Sequence, residues 1–464
     1  QLMLTIANEM ISRADAALMN IYGLQGIAET INAFASEEIK QEYLPDLANG
    51  NHTGAMVLTE PDAGSDLQAV KTMAYQDADG NWFVHGVKRF ITNGCGEVLL
   101  VLARTEADIS DGRGLSLLVC DRGPKVKIRR LENKLGIHGS PTCEIYFDHV
   151  PAKLVGERQR GLITYVMSLM NGARIGIAAQ GLGIGEAAYR IARDYGHSRK
   201  QYDTAIENFP AVRELLVNMS MDVQAARAIT YFATASVDVE NAALRKTELG
   251  EGAALDAAER TNLKKTARKY KNINKLLTPM AKYYASEMSM RVSNDSMAVL
   301  GGSGYMKDYA VQRHLRDSRI TTIYEGTSQL QVVAAAPAVL KGTCHAVIED
   351  LLSKREWTGE LKVLTDRIRV GLVELQECID FVKNEGMEYT DLVARKLVDF
   401  AMGLLVGTLF CDYATAKDSK LPLAKRWIAM KSAEAEMQKK VILSGDRQII
   451  DDFEVLAGPV PVLD

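Results

Sequence analysis

The feature that most constrains the fold is a β-rich segment, residues 53–152, which lies between two long helical regions. Its short runs of β-branched, aromatic and other apolar residues are separated by turn signals such as Asp79-Gly-Asn and Asp111-Gly-Arg-Gly. Strands are predicted over residues 82–85, 98–103, 115–120 and 143–147. The pattern indicates a β-domain inserted between helical regions, so the predicted fold class is α+β.

Helical patterns precede and follow this segment. Residues 36–45 indicate a helix with Ser36 as its N-cap and Pro45 just after its end. Amphipathic helices are predicted beyond the β-domain, and apolar residues recur there at three- and four-residue spacing. The long ones cover residues 162–193, 209–239 and 263–299, and helices continue after Lys341.

Four parts of the chain follow from these patterns. They are an N-terminal helical part (1–52), a middle β-domain (53–153), a helical bundle (154–340) and a helical C-terminal extension (341–464).

Composition excludes several classes of function. Hydrophobic residues make up 47% and charged residues 25% of the 464 residues, and the net charge is −4. This is ordinary for a soluble globular protein, and it gives no basic footprint for nucleic acid. Six cysteines without a Cys-x-x-Cys pair predict reduced, mostly buried thiols and no metal site. No stretch is expected to cross a membrane, and residues 400–411 indicate a buried helix.

Two motifs lie in or beside the β-domain. The first, Leu58-Thr-Glu-Pro-Asp-Ala-Gly-Ser-Asp66, is a loop that could present hydroxyl and N–H donors to a ligand, or simply a turn. The second, Gly86-Val-Lys-Arg-Phe-Ile-Thr-Asn-Gly94, is a strand closed by Asn-Gly, a common hairpin pattern.

Two further motifs follow in the helical part. Leu300-Gly-Gly-Ser-Gly-Tyr305 could approach a phosphate or end a helix, but no strand precedes it as a dinucleotide fingerprint requires. In Ile323-Tyr-Glu-Gly-Thr327, Glu325 is a candidate base shielded from water. The alternative for Glu325 is a helix-capping role.

Taken in order, the four motifs resemble the acyl-CoA dehydrogenase family, from the N-terminal helices to about Leu340. The resemblance implies an N-terminal helical domain, a barrel-like middle β-domain and a C-terminal four-helix bundle. Family members have more N-terminal helix before Thr59 than this chain, so an additional N-terminal piece is expected. The extension and Leu276-Leu-Thr-Pro279 are similar to the large bacterial members.

The resemblance implies FAD as the cofactor. Residues from 56 to 65 and the trio Phe90-Ile-Thr92 would embrace the isoalloxazine ring, with Phe90 where Trp is common. Arg199 and residues 298–302 would reach the FAD of a neighbouring subunit, with Ala298 where Gln is typical. The FAD-binding residues implied are Met56, Leu58, Thr59, Gly64, Ser65, Phe90, Ile91, Thr92, Arg199, Ala298, Gly301, Gly302, Tyr324, Thr327 and Gln329.

The resemblance also implies the substrate site and the base. The residues implied to contact the acyl-CoA are Ser65, Ser140, Asn171, Arg174 and Gly326. Some family members place the catalytic Glu one residue before the position of Arg174. Here that residue is Ala173, so Glu325 is the catalytic base that the resemblance implies. Its backbone N–H and a ribityl hydroxyl of FAD would stabilise the thioester carbonyl.

The implied reaction is α,β-dehydrogenation of an acyl-CoA thioester, followed by electron transfer to an electron-transfer flavoprotein. The alternatives are an acyl-CoA oxidase that uses oxygen, or a non-catalytic flavin-containing assembly or binding protein. Shared FAD sites imply a homodimer or homotetramer. We expect a cytoplasmic protein if the source is bacterial and a mitochondrial matrix protein if it is eukaryotic.

Overall fold

The structure is a computed structural model that describes residues 1–23, 26–248 and 255–461, without the side chains of residues 168, 171 and 248. Helices precede and follow one mixed β-sheet, as the sequence predicts. The N-terminal helices are α1 (Leu2–Ala14), α2 (Ala16–Gly23), α3 (Ile27–Phe34) and α4 (Glu37–Asn49).

The sheet holds seven strands, and a two-stranded ribbon follows it after a long helix. The strands are β1 (Gly54–Val57), β2 (Met73–Gln76), β3 (Trp82–Thr92), β4 (Val98–Arg104), β5 (Leu115–Asp121), β6 (Val126–Leu131), β7 (Thr142–Val155), β8 (Lys200–Gln201) and β9 (Thr204–Ala205).

The remaining helices include three that exceed thirty residues. They are α5 (Met167–Ser198), α6 (Pro210–Glu248), α7 (Ala257–Leu300), α8 (Gly302–Tyr305), α9 (Val311–Thr321), α10 (Ser328–Leu340), α11 (Thr343–Leu352), α12 (Gly359–Glu385), α13 (Met387–Ala416), α14 (Leu421–Leu443), α15 (Gln448–Asp451) and α16 (Phe453–Ala457).

The seven-stranded sheet closes on itself, which confirms the predicted barrel-like β-domain. Pairing runs β4-β2-β3-β7-β5, and β5 then pairs with β4. Strand β4 is buried on both faces, with Leu100 in one apolar cluster and Leu99 in another. A strand covered on both faces is a continuous apolar run, which is why residues 98–103 were predictable.

One predicted helix end is wrong. Ser36 does cap α4, and its Oγ accepts a hydrogen bond from the Ile39 N–H at 3.4 Å. Pro45, however, lies inside α4, which continues to Asn49 and ends at the left-handed Gly50 (φ 75°). The helix tolerates the missing N–H of Pro45, and the glycine rather than the proline ends it.

The chain divides into two compact units. The first holds residues 1–230 and 281–328, and the second holds residues 231–280 and 329–464. In the first unit α1 and α9 pack on α5, and Arg227 pairs with Glu9 at 2.7 Å. This division follows contacts within the chain, and the four-part domain division stays a prediction.

The second unit contains the C-terminal extension, which is helical as predicted. Helices α11, α12 and α14 pack around α13. Trp427 is fully buried and its indole N–H donates to the Gly403 carbonyl at 3.0 Å. Tyr389 likewise donates to the Ile442 carbonyl at 2.7 Å, so these two buried polar groups are satisfied.

One expectation about membranes needs correction. Helix α13 is long and apolar enough to cross a membrane, and α10 and α11, bent by 69°, pass the same test as a pair. Nevertheless, 78% of the apolar stretch of α13 is buried within the protein. The core helix of a soluble protein has this property, in agreement with the buried helix predicted over residues 400–411.

Candidate active site

Glu325 lies in the turn that joins α9 to α10. Its backbone is left-handed (φ 53°), and Gly326 continues in the same region (φ 86°). The turn is closed by a hydrogen bond from the Ser328 N–H to the Thr322 carbonyl at 3.0 Å. A non-glycine residue in this conformation is strained, and such strain concentrates where a side chain must be aimed in one direction.

The carboxyl of Glu325 is partly buried and faces two cations. Burial raises its pKa above the ordinary value, although Lys282 and Arg174 act in the opposite direction. The pKa of the Arg174 guanidinium is lowered by burial, and Glu325 opposes that fall. The structure thus brings together Glu325 and Arg174, which the sequence analysis had placed in one site.

Lys282 is the residue of this site that the sequence analysis missed. It lies on α7, is fully buried, and donates from Nζ to the Gly326 carbonyl at 2.6 Å. The available signal was a lone lysine inside an apolar run, Leu276-Leu-Thr-Pro-Met-Ala-Lys-Tyr-Tyr-Ala285. A lysine is almost never fully buried without a specific partner.

Tyr324 anchors the turn from the other side. Its hydroxyl donates to Asn20 Oδ1 at 2.9 Å and also to Gln180 Oε1. Burial raises the pKa of this phenol above its ordinary range, so the hydroxyl stays protonated. The hydroxyl is thus committed to α2 and α5 side chains, and the role of Tyr324 in FAD binding stays a prediction.

The two predicted flavin segments lie side by side in the β-domain. The Arg89 N–H donates to the Thr59 carbonyl at 3.0 Å, which places Thr59 next to Phe90. The fully buried Lys88 donates to the Leu58 carbonyl at 2.7 Å and pairs with Glu60 at 2.9 Å. A loop and a strand that are distant in sequence are thereby held as one surface.

This surface fits a planar ring with polar edges. Phe90 is left-handed (φ 61°) and its side chain is 54% exposed. Its strand also carries the partly buried Thr92, and Thr59 lies beside it on the loop. An aromatic face next to two hydroxyls suits the isoalloxazine of FAD, because stacking and hydrogen bonding act together there.

Ser140 is the second predicted ligand contact with a distinctive environment. It is fully buried, and its Oγ has no hydrogen-bond partner within the described part of the chain. Its loop is held to α9, because Asp317 Oδ1 accepts a hydrogen bond from the Ile137 N–H at 2.6 Å. Buried hydroxyls normally find a partner, so this atom fits a ligand contact.

The remaining predicted residues fall into three groups. Arg199, Ala298, Gly301 and Gly302 are exposed, and Tyr195 of α5 donates a hydrogen bond of 3.3 Å to Ser303 of α8. Met56 is partly buried, Leu58 and Ile91 are buried, and Gly64 and Ser65 are exposed. Thr327 is partly buried, Gln329 is exposed, and the side chain of Asn171 lies outside the described residues.

One group of possible metal ligands was not foreseen. His85, Asp148 and His149 place ligand atoms within 4.8 Å of one another, where two residues of β7 oppose one of β3. Lys127 pairs with Asp148 at 2.7 Å, and its charge disfavours a cation there. We therefore assign no metal to this group.

Comparison with known proteins agrees with the geometry of the site. The family descriptions that match are "Acyl-CoA dehydrogenase, N-terminal domain" at residues 1–51 and "middle domain" at residues 55–150. "Acyl-CoA dehydrogenase, C-terminal domain" matches residues 160–258 and 244–340.

Individual relatives extend this result. An acyl-CoA dehydrogenase of Bacillus subtilis is 36% identical over 346 residues, which are 73% of this chain and 82% of that protein. An acryloyl-CoA reductase (NADH) of Anaerotignum propionicum is also 36% identical, over 71% of this chain and 76% of that protein.

A solved structure resembles most of the chain. Caenorhabditis elegans ACDH-11 in complex with C11-CoA has a TM-score of 0.76 and 23% identity, over 90% of this chain and 71% of that one. At this identity the likeness concerns the fold alone. From the family matches and the relatives, the chain belongs to the acyl-CoA dehydrogenase family of FAD-dependent oxidoreductases that act on acyl-CoA.

Proposed function

We propose that this protein oxidises an acyl-CoA thioester to the trans-2-enoyl-CoA, with Glu325 removing the α-proton. The observation that carries the proposal is the setting of Glu325 on a left-handed turn, with a pKa raised by burial and with Arg174 and Lys282 facing it. A carboxylate with these properties is typical of a general base.

The carboxylate of Glu325 takes the α-proton onto one of its oxygens. Its raised pKa brings the basicity of the carboxylate closer to working pH, which improves proton transfer. Phe90, Thr59 and Thr92 would hold FAD, which would supply the hydride acceptor for the β-hydrogen. The proton and the hydride together account for the two hydrogens lost from the substrate.

Negative charge develops on the thioester carbonyl as the α-proton leaves. The backbone N–H of Glu325 would donate to that oxygen, and backbone donors placed in advance stabilise such charge strongly. Arg174 is suited to the CoA moiety, because its guanidinium offers several donors. Ser65 and Ser140 are proposed as further contacts to the acyl-CoA.

The test is anaerobic bleaching of the flavin by a panel of acyl-CoA thioesters. We expect one class of thioester to reduce the bound flavin of the wild-type protein. E325Q should retain FAD but lose the bleaching, whereas E349Q, which changes an exposed glutamate of α11, should bleach like wild type. If flavin binds and no thioester reduces it, the protein is a flavin-containing binding or assembly protein instead.

A second candidate is the reverse reaction, reduction of an enoyl-CoA. It is favoured by the 36% identity to the acryloyl-CoA reductase (NADH), and it would use the same residues, with Glu325 returning the proton. Mixing the photoreduced protein with enoyl-CoA thioesters distinguishes the two directions. Faster reoxidation by an enoyl-CoA than bleaching by the matching acyl-CoA would favour the reductase.

Electron-transfer flavoprotein is the proposed acceptor of the electrons. Reoxidation of the substrate-reduced protein by electron-transfer flavoprotein should be much faster than reoxidation by air. The opposite order would indicate an acyl-CoA oxidase.

The proposed assembly is a homodimer or a homotetramer in which FAD sites are shared. The exposure of Arg199, Gly301 and Gly302 on the single chain supports this proposal. Light scattering on the FAD-loaded protein measures the assembly size, and a monomer would contradict the proposal.

A further inference from the structure

A fully buried lysine holds the turn that carries the proposed base. Lys282 Nζ donates to the Gly326 carbonyl at 2.6 Å, one residue after Glu325. The side chain of Lys282 has 0% exposure, and it reaches the turn from a different helix, α7. A buried hydrogen-bonded ammonium is costly to place, so its contact should have a consequence beyond packing.

The contact bears directly on the direction of the Glu325 side chain. Glu325 and Gly326 are consecutive residues with positive φ, so fixing the 326 carbonyl restrains the turn from which the Glu325 side chain projects. Ser328 N–H and the Tyr324 hydroxyl hold the two ends of the same turn. Lys282 contacts the middle of this turn, through its hydrogen bond to the Gly326 carbonyl.

Charge adds a second effect to the geometry. The groups that interact electrostatically with Lys282 are Glu325, Arg174 of α5 and Glu287 of its own helix. Burial lowers the pKa of Lys282 to about 7, with Arg174 acting in the same direction and the two glutamates opposing it. Lys282 in turn acts to lower the pKa of Glu325.

We propose that Lys282 is a positioning residue for the reaction: it fixes the Gly326 carbonyl next to Glu325, and its positive charge favours the carboxylate that accepts the α-proton. This inference rests on the proposed function and deepens it. It assigns a role to a residue outside the four sequence motifs. The proposed proton transfer is unchanged, since the α-proton still moves to Glu325.

The test compares K282M and K282R with wild type in anaerobic stopped-flow reduction of the flavin, from pH 5.5 to pH 9. K282M removes the donor and the charge. We expect its reduction rate at pH 7 to fall about 10- to 100-fold, because misplacing a catalytic group costs factors of this size. We also expect the acid limb of its pH profile to move up by about one pH unit, because an opposing charge lowers a carboxyl pKa by about that much.

K282R is the rescue variant. Its guanidinium keeps the charge at every pH of the experiment, so its acid limb should lie at or below that of wild type, even if its rate is reduced. A purely structural role would lower the rate of K282M equally at every pH and leave the limb in place. That result would overturn the proposal.

Folding is monitored in parallel by FAD absorbance and thermal melting. If K282M does not fold, K282Q, which is also neutral, carries the same comparison. If neither neutral variant folds, an upward shift of the acid limb in K282R overturns the proposal. Failure of every thioester to bleach wild type would contradict the proposed function, whereas bleaching with an unmoved acid limb contradicts only the role of Lys282.

Discussion

Among the residues that the structure describes, two lysines are fully buried, one in the β-domain and one beside the turn that carries Glu325. Lys88 has a complete partner set: Glu60 lies at 2.9 Å, and the Leu58 carbonyl accepts a second bond at 2.7 Å. Glu60 also accepts hydrogen bonds from the Thr72 and Lys71 N–H groups. Lys282 has the Gly326 carbonyl at hydrogen-bond distance, with Glu325 facing it.

The pKa values of the Glu60 and Glu325 carboxyls are shifted in opposite directions. Burial acts to raise the pKa of Glu60, but Lys88 and the hydrogen bonds outweigh it, so the pKa is lowered. Burial raises the pKa of Glu325, and the two cations facing it do not compensate. A saturated buried pair is a structural element, whereas an incompletely compensated carboxyl retains affinity for a proton. This difference separates a scaffold carboxyl from the carboxyl that we propose as the base.

The largest expected effect is on activity. E325Q should lower the rate of flavin reduction by about 10²- to 10⁴-fold, because an amide cannot take the α-proton. Stopped-flow spectroscopy with the reducing thioester measures the rate. E60Q, measured at saturating FAD, should lower the rate of flavin reduction far less. A similar loss in both variants would abolish the distinction between scaffold and base.

The next effect is on stability in the β-domain. K88M leaves Glu60 buried without its cation, which should lower the free energy of unfolding by about 3–5 kcal/mol. Urea denaturation followed by far-UV circular dichroism measures the change. The double variant K88M/E60Q should recover part of the loss. A recovery of zero would show that Lys88 stabilises the fold without its ion pair to Glu60, through packing and its bond to the Leu58 carbonyl.

A smaller effect is expected at Tyr324, which anchors the turn that carries Glu325. Y324F removes the hydroxyl that serves Asn20 and Gln180, which should cost about 1–2 kcal/mol, because Gln180 Oε1 loses this donor while Asn20 Oδ1 keeps that of Gln180 Nε2. Denaturant unfolding measures this loss of stability. Y413F, which changes an exposed tyrosine on α13, is the matched control. An unchanged midpoint for Y324F would indicate that the two amides repair the gap between themselves.

The smallest effect has the opposite sign. Since the folded pKa of Glu325 is raised, ionisation of Glu325 costs stability; the cost is absent below pH 4.5 and grows as pH rises through the folded pKa. E325Q should therefore stabilise the protein by about 0.5–1 kcal/mol at pH 8 and hardly at pH 4. Melting temperatures across this pH range test it.

Glu60 provides the contrast in the same experiment. Its folded pKa is lowered, so its contribution to stability is present above pH 4.5 and is lost as pH falls through the folded value. E60Q should thus be destabilising at pH 8 and less so in acid. If the two variants shifted stability in the same direction at pH 8, the comparison would fail.

Sequence patterns were sufficient for most of the scaffold. The long amphipathic helices α5, α6 and α7 were predictable because their apolar spacing is sustained, and β4 because both of its faces are buried. The short strands β1, β2 and β6 were not predicted. β2 and β6 are largely exposed, and β1 has only four residues, so their patterns are weak.

The site was only partly accessible to the same reasoning. Glu325 could be named because it lies in a recognisable motif and Arg174 because the family resemblance implies it, and the structure brings them together. Lys282 belongs to no motif, and its importance depends on the approach of α7 to a turn 44 residues away in sequence. Helix periodicity carries no information about which carbonyl a lysine will meet.

The attachment of the Ser140 loop to α9 has a consequence for local unfolding. A side chain at Gly136 would meet the Arg316 carbonyl oxygen at 2.4 Å, and the Ile137 N–H is bonded to Asp317. Protection from hydrogen exchange is shared by segments that open together. The amides of residues 136–140 should therefore exchange in step with those of α9, so that the segment proposed to hold the acyl-CoA and the helix leading to Glu325 open in one event.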